Sequence, residues 1–276
     1  MSVRLIAFDL DGTFLSDDRR CIPVNMEAVA KAARQGIHIV PCTGRMFGGM
    51  PEEIRALSFI RYGITMNGAD VYDRDADCHI KESPMDRDAA EAVFDYLDTL
   101  PVTYDCFLNG EAWVEQAFYQ LWSTFIEWEP VRRSMSQTRR PLVGFRDFVR
   151  RSPYPVQKIT AMFRDQELRL RTMADMRSRF PELLITSSLY NNMEVNDKMA
   201  NKGAGLAALC AHLGIDLSEV MAFGDASNDM TMIEAAGIGV AMANAEDDLK
   251  ALANYVTERD NNAGGVAEAI ARFALH

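Results

Sequence analysis

Asp9 and Asp11 stand two positions apart in FDLDGTFL (8–15), directly after the apolar run Leu5-Ile6-Ala7-Phe8. A second acidic stretch, GDASND (224–229), follows the apolar run VMAF and supplies Asp225 and Asp229. Between them in sequence, Thr43 follows HIVPC. Asp, Gly and Thr are ordinary turn residues, so each stretch alone reads equally as a strand running into a loop. Residues two apart on a strand share a face, which would aim Asp9 and Asp11 at one place. Carboxylates gathered without a cation repel one another or take up protons. A Mg²⁺ ion resolves that conflict, because it takes oxygen ligands, usually one or two carboxylates with water and a substrate phosphate.

The elements that position these residues alternate. LIAF, GIHIVPC (36–42) and YGITMN (62–67) read as buried strands, continuous in apolar character as parallel strands tend to be. PVNMEAVAKAARQG has the helical repeat Val24, Ala28, Ala32, with Pro23 at its start and Gly36 at its stop. VMAFGD, GIGVAMA (237–243) and NYVTE (254–258) are further strands separated by helical stretches such as NDMTMIEAAG. Alternation of this kind predicts an α/β fold, a Rossmann-like parallel-sheet core with helices on both faces. The three polar clusters then fall at the C-terminal ends of strands, the edge where open α/β sheets bind ligands.

The middle of the chain differs. VTYDCFLNGEAWVE (102–115) is two β runs joined by Asn109-Gly110, an antiparallel hairpin signal. Phe118, Leu121, Trp122, Phe125 and Ile126 follow at helical spacing, with cap core as the default role. KITAMF (158–163) and ELLITSS (182–188) flank another helical stretch. The expectation is a core formed by residues 1–83 and 191–276, with an α+β cap inserted at 84–190.

The formal charge of −11 argues against nucleic-acid binding. No apolar run is long enough to span a membrane, and MSVRLIAFDLDG lacks the pattern of a signal peptide. The five cysteines have no CxxC spacing and the four histidines do not cluster, so neither a disulfide framework nor a structural zinc site is expected. Together these features predict a reducing cytoplasm. The oligomeric state is not legible.

DLDGT, the Thr-Gly-Arg at 43–45, a later Lys-Gly and GDxxND, in this order, resemble the four motifs of the haloacid dehalogenase-like phosphohydrolases. The chain resembles the Cof-type group in particular, because only a helix separates Asp11 from Thr43 while a large segment separates Thr43 from Lys202. The resemblance implies that Asp9 attacks phosphorus to give an aspartyl-phosphate, and that Asp11 protonates the leaving oxygen and later takes a proton from water. It implies Mg²⁺ held by Asp9, the Asp11 main-chain carbonyl and Asp225. Leu10, Thr43, Gly44, Lys202 and Asn228 would bind phosphoryl oxygens, and Asp229 would orient Lys202 or metal-bound water. Arg45 is a candidate substrate contact or a surface cation.

NDKMANKG offers two lysines, of which Lys202, followed by Gly203, fits better than Lys198. Cys42 replaces the more usual Ala or Ser and reads as packing, not as a nucleophile. Ala226-Ser227 departs from the usual Gly plus acid. The Arg-rich stretch 132–151 has seven arginines and one acid and reads as a solvated face. The implied function is Mg²⁺-dependent hydrolysis of small phosphorylated metabolites, with sugar phosphates first and pyridoxal phosphate or flavin mononucleotide next. A phosphomutase or phosphotransferase is the alternative among enzymes, and a non-catalytic phospholigand-binding or regulatory protein the alternative outside them.

Overall fold

A computed structural model describes residues 2–275, and the chain divides into two units, residues 1–82 with 201–276 and residues 83–200. The first unit opens with β1 (Leu5–Phe8), α1 (Pro23–Arg34), β2 (His38–Pro41), α2 (Glu52–Arg55), β3 (Tyr62–Thr65), β4 (Asp70–Asp73) and β5 (Cys78–Glu82). The second contains α3 (Arg87–Leu97), β6 (Thr103–Leu108), β7 (Glu111–Glu115), α4 (Gln116–Phe125), α5 (Glu129–Thr138) and β8 (Arg139–Leu142). It continues with α6 (Phe145–Arg151), β9 (Val156–Met162), α7 (Gln166–Arg179), β10 (Leu183–Thr186) and β11 (Asn192–Asp197). The first unit resumes with α8 (Lys202–Leu213), β12 (Val220–Gly224), α9 (Met230–Ala235), β13 (Ile238–Ala241), α10 (Asp247–Leu252), β14 (Tyr255–Val256) and α11 (Gly265–Phe273).

The core of the first unit is a parallel sheet in the order β14-β13-β12-β1-β2. Every residue of β1 and β12 is buried, which is why LIAF and VMAF are apolar throughout. The chain moves from β1 to β2 on one side and returns to β12 on the other, so the strand order reverses at β1. Crevices of ligand-binding size form at such reversals. α1 begins on Pro23, whose fixed φ suits a first helical turn, and packs on α11, while α8 packs on α9.

The expectation for 62–67 needs correction. β3 pairs antiparallel with β4, in a separate three-stranded sheet completed by β5. One parallel bridge, Cys42 to Ile64, links it to the end of β2.

The second unit is a six-stranded sheet in the order β10-β11-β9-β6-β7-β8. Asn109 and Gly110 both take positive φ, as a two-residue hairpin turn between β6 and β7 requires. Tyr104, Cys106, Ile159, Ala161, Met193 and Val195 of this sheet join α3 and α7 in one apolar cluster. Val114 and Met162 instead meet Trp122 and Phe125 of α4 and Val131 and Met135 of α5.

The boundary expected at residue 191 falls early. β11 pairs antiparallel with both β9 and β10, which keeps residues 191–200 in the second unit. The Arg-rich stretch is not a uniformly solvated face either. Arg139 bonds buried Asp105, and Arg146 is largely buried among Glu91, Asp95 and Asp98.

Candidate active site

β1 and β12 are parallel neighbours, so Asp9 and Asp225 leave adjacent strands at the same edge, and the Asp9 amide donates to Phe223 O at 3.0 Å. Beyond Phe8 the chain is no longer a strand. Phe14 N bonds Asp9 O (3.2 Å) and Leu15 N bonds Leu10 O (2.8 Å), closing a wide turn through Gly12 at φ +80°. A Cβ on Gly12 would lie 2.3 Å from Asp225 Oδ2, so the turn can pass this carboxylate only as glycine. Strand alternation therefore does not reach Asp11, and its hydrogen-bond partners differ from those of Asp9.

Asp9 Oδ1 accepts from Lys202 Nζ at 2.7 Å, and the same ammonium reaches Asp229 Oδ1 at 2.5 Å. Lys202 is wholly buried at the start of α8, where the Asn201 side chain accepts from Ala204 N and caps the helix. Lys198 instead donates to Pro181 O in the second unit, so Lys202 is the lysine at the site. Asp229 Oδ2 accepts from the amides of Asp225 and Ala226, which occupies the second oxygen of Asp229. Asp225 Oδ1 accepts from Thr13 Oγ1 at 2.6 Å.

Burial pushes the Asp9 carboxyl up to about 7, against the pull of Lys202 and helped by the charges of Asp229 and Asp11. Burial raises Asp225 as well, with Asp229 and Asp9 adding to it. Burial alone would lower Lys202, but Asp229 and Asp9 outweigh it and keep the ammonium charged.

Asp11 sits in different company. Arg45 donates to both its oxygens, at 2.5 and 2.7 Å, and Arg19 lies at 3.2 Å. Burial would raise this carboxyl, yet Arg19 and Arg45 hold it well below the usual carboxylate range. Asp11 is therefore a firmly ionised carboxylate here. Arg45 is fixed in turn by Gly49 O at 3.1 Å, so it is neither a free surface cation nor an unattached substrate contact.

Thr43 is buried at the end of β2, and its Oγ1 accepts from Arg45 N at 3.2 Å. Met66, Asn67 and Gly68 are three successive residues with positive φ, and Asn67 Oδ1 accepts from Asn228 Nδ2 at 3.2 Å. Strained backbone of this kind costs about 1–3 kcal/mol per non-glycine residue and gathers at functional sites. Asn228 Oδ1 is buried with no hydrogen-bond partner. Cys42 is buried and burial drives its thiol far above the ordinary range, in keeping with a packing role.

The donor set fits Mg²⁺. Asp9, Asp225 and Asp229 bring carboxylate oxygens within 4.8 Å of one another, with no sulfur or imidazole among them. Asp9 and Asp229 are buried and Asp225 partly so, and the three carboxylates, when ionised, exceed the one ammonium by two negative charges, which a divalent cation would balance. The carbonyls of Asp9, Leu10 and Gly12 accept from Phe14 N, Leu15 N and Asn244 Nδ2, whereas the Asp11 carbonyl accepts no bond among the described residues.

Thr13, Arg19 and Asn67 escaped the sequence reading. Thr13 lies within DGT, where its residue type signals a turn and nothing more. The reach of Arg19 to Asp11 depends on a loop with φ +59° at that residue, which leaves no local signal.

A family model described as haloacid dehalogenase-like hydrolase matches residues 6–270. The chain is 29% identical over 275 residues to the 5-amino-6-(5-phospho-D-ribitylamino)uracil phosphatase YcsE of Bacillus subtilis, covering 100% of this chain and 97% of that protein. It is 28% identical to the pyridoxal phosphate phosphatase YbhA of Escherichia coli, with 98% of each covered. The fold superposes on the HAD subclass IIB sugar phosphatase BT4131 with a TM-score of 0.82 at 25% identity, covering 98% of this chain and 99% of that one.

Proposed function

Because the chain belongs to the haloacid dehalogenase-like hydrolases, we propose that it removes phosphate from small phosphorylated metabolites, sugar phosphates foremost, through a phosphoenzyme on Asp9. The observation that carries the reading is buried Lys202 bridging Asp9 and Asp229 beside Asp225. A carboxylate held in this way is oriented by a fixed cation and has one oxygen left over for attack. Relatives named for phosphatases of a ribityl phosphate and of pyridoxal phosphate support the same class of substrate.

In this mechanism the Asp9 carboxylate attacks phosphorus and the ester oxygen departs, which divides one difficult displacement into two easier ones. Asp9, Asp225 and the Asp11 carbonyl would hold a Mg²⁺ ion, which would supply charge neutralisation for the transferring oxygens. Thr43 Oγ1, Lys202 Nζ, Asn228 and the amides of Leu10 and Gly44 hold the equatorial oxygens as their charge redistributes. Asp229 positions Lys202 and the Asp225 backbone. Asp11 moves the protons, giving one to the leaving oxygen and later taking one from the attacking water. Paired with Arg45 and Arg19 it is ionised, the state in which it can accept a proton in the second step. The same pairing weakens it as a base until it leaves the arginines. The first step requires Asp11 to take up a proton and leave Arg45.

The test is hydrolysis of p-nitrophenyl phosphate with and without Mg²⁺, following released inorganic phosphate. Chelation and Asp9→Asn should each lower turnover by about 10³-fold or more, a loss on the scale of removing a member of a catalytic unit. Equal slow rates for wild type and Asp9→Asn would sink the enzymatic reading. Phosphate retained on an added alcohol, in place of inorganic phosphate, would mark a phosphotransferase.

A further inference from the structure

The turn that carries Asp11 is secured from outside through its carbonyl oxygens. Asn244 Nδ2 donates to Gly12 O at 2.8 Å, Asn25 Nδ2 to Phe14 O at 3.1 Å and Asn261 Nδ2 to Leu15 O at 3.0 Å. Two of these amides are aimed by a backbone donor on their own oxygen. Asn244 Oδ1 accepts from Asn261 N at 3.0 Å, and Asn25 Oδ1 accepts from Ala267 N at 3.0 Å. Asparagine suits this task because its side chain donates and accepts at once. The donors stand on α1, in the loop after β13 and in the loop before α11, so segments far apart in sequence converge on residues 12–15.

Asp11 and Gly12 need that support. Their φ/ψ values, −79°/119° and 80°/−4°, are those of a type II turn, with glycine at the position of positive φ. Glycine restrains the chain less than any other residue, so the plane of the Asp11–Gly12 peptide depends on what holds the peptides on either side. On the near side Leu10 O accepts from Leu15 N, and on the far side Gly12 O accepts from Asn244. Among the described residues the Asp11 carbonyl has no donor of its own, and it lies between two that are fixed.

The loop that supplies Asn244 also reaches Asp225. Met242 N donates to Gly224 O at 3.0 Å and Glu246 N to Asp225 O at 2.9 Å. Residues 242–246 therefore hold the Asp225 backbone by main-chain amides and the Asp11 turn by a side chain. Thr13 Oγ1 joins the same two parts directly through Asp225 Oδ1. A loop that merely ended β13 would need bonds to β12 alone. The bond across to Gly12 links the two stretches that bring oxygens to the candidate metal site.

We propose that Asn244 is a positioning residue for the divalent cation. It would bond neither metal nor phosphate itself. It fixes the Gly12 peptide, so that the Asp11 carbonyl keeps its place relative to the Asp225 carboxylate. The proposal rests on the Mg²⁺ reading above and adds to it a residue outside the four motifs.

The test is binding of Mn²⁺ to the full chain, read from the electron paramagnetic resonance signal of the free ion, with Tm measured in chelator. Asn244→Ala and Asn244→Asp should each bind Mn²⁺ about 10-fold more weakly, a loss typical when the support of a metal ligand is removed. Asn244 is exposed, so Tm without metal should stay close to that of wild type. The aspartate adds a negative charge, which by attraction alone would tighten binding, so weaker binding there isolates the lost donor. Asn262→Ala is the control. It removes two bonds to Asp17, beyond the turn, and should leave the affinity unchanged. Asp225→Asn should release the tightly bound ion, which places it at this site. The proposal fails if that ion survives Asp225→Asn, if the Asn244 variants bind as tightly as wild type, or if Asn262→Ala weakens binding as much. Binding is read without turnover, so an inactive wild type that holds Mn²⁺ would defeat only the phosphatase reading. A wild type that holds none would defeat this proposal.

Discussion

Lys202 lies wholly buried between Asp9 and Asp229, so replacing it should change stability and chemistry together. Lys202→Met leaves two carboxylates unpaired in the interior and should destabilise the fold by about 3–5 kcal/mol. Adding Asp229→Asn should recover part of the lost Tm but none of the activity, because the contact to Asp9 is still missing. Asp11→Asn should behave otherwise. An aryl leaving group needs little protonation, so p-nitrophenol should appear in a burst of about one equivalent per enzyme, followed by slow release of phosphate. Rapid-quench measurement with p-nitrophenyl phosphate reads this directly, and the absence of a burst would argue against Asp11 as the base of the second step. Asp9, Thr43 and Asp225 were legible from residue type and strand-end placement. The pairing of Asp11 with Arg45 and Arg19 was not, because it depends on the turn through Gly12 and on a loop conformation far from both ideal strand and helix.

At the level of elements, the turn after β3 shapes the site without belonging to a regular structure. Gly68 has φ +91°, and a Cβ there would lie 2.1 Å from Asn201 O, just ahead of Lys202. Gly68→Ala should therefore destabilise by roughly 1–3 kcal/mol and lower activity through displaced Lys202, as thermal melts and assays together would show. Asp73 on β4 tests the neighbouring sheet. Hydrogen bonds from Arg61 chiefly, and from the Ala76 and Asp75 amides, lower its carboxyl to about 2 against the opposing effect of burial. Its stabilising contribution is then complete above its ordinary value near 4 and fades as pH falls through 2. Asp73→Asn should be less stable than wild type at pH 7, and the two Tm values should converge toward pH 2. Arg61 is half exposed, so salt should narrow the gap at neutral pH. The helices and parallel strands of the core were legible because their periodicity is local. The antiparallel pairing of β3 with β4 was not, since a short apolar run looks the same in either kind of sheet.

The whole molecule is one discontinuous unit holding one continuous unit, and the two should differ when separated. Residues 83–200 carry a complete six-stranded sheet with its own apolar clusters. Expressed alone, they should give dispersed amide NMR signals and a single cooperative melt. Residues 1–82 alone should not, since β1 would lack β12 along one full edge. The hairpin at Asn109-Gly110 and the change in pattern after residue 83 made the insertion visible in the sequence. Its far end was not, because β11 takes its place by pairing with β9 and β10 across long separations, which no local pattern records.

The contact between Asp9 and Lys202 spans 193 positions of chain. On the ribosome, at about 5–20 residues per second, the lysine follows the aspartate by roughly 10–40 seconds. Throughout that interval β1 has been made but its neighbour β12 has not. The inserted unit is finished first, so the guest can fold while its host is still incomplete. A nascent chain paused near residue 200 would present a folded insert beside an open apolar sheet edge. Nascent chains of that length should therefore bind chaperones more than the completed chain does.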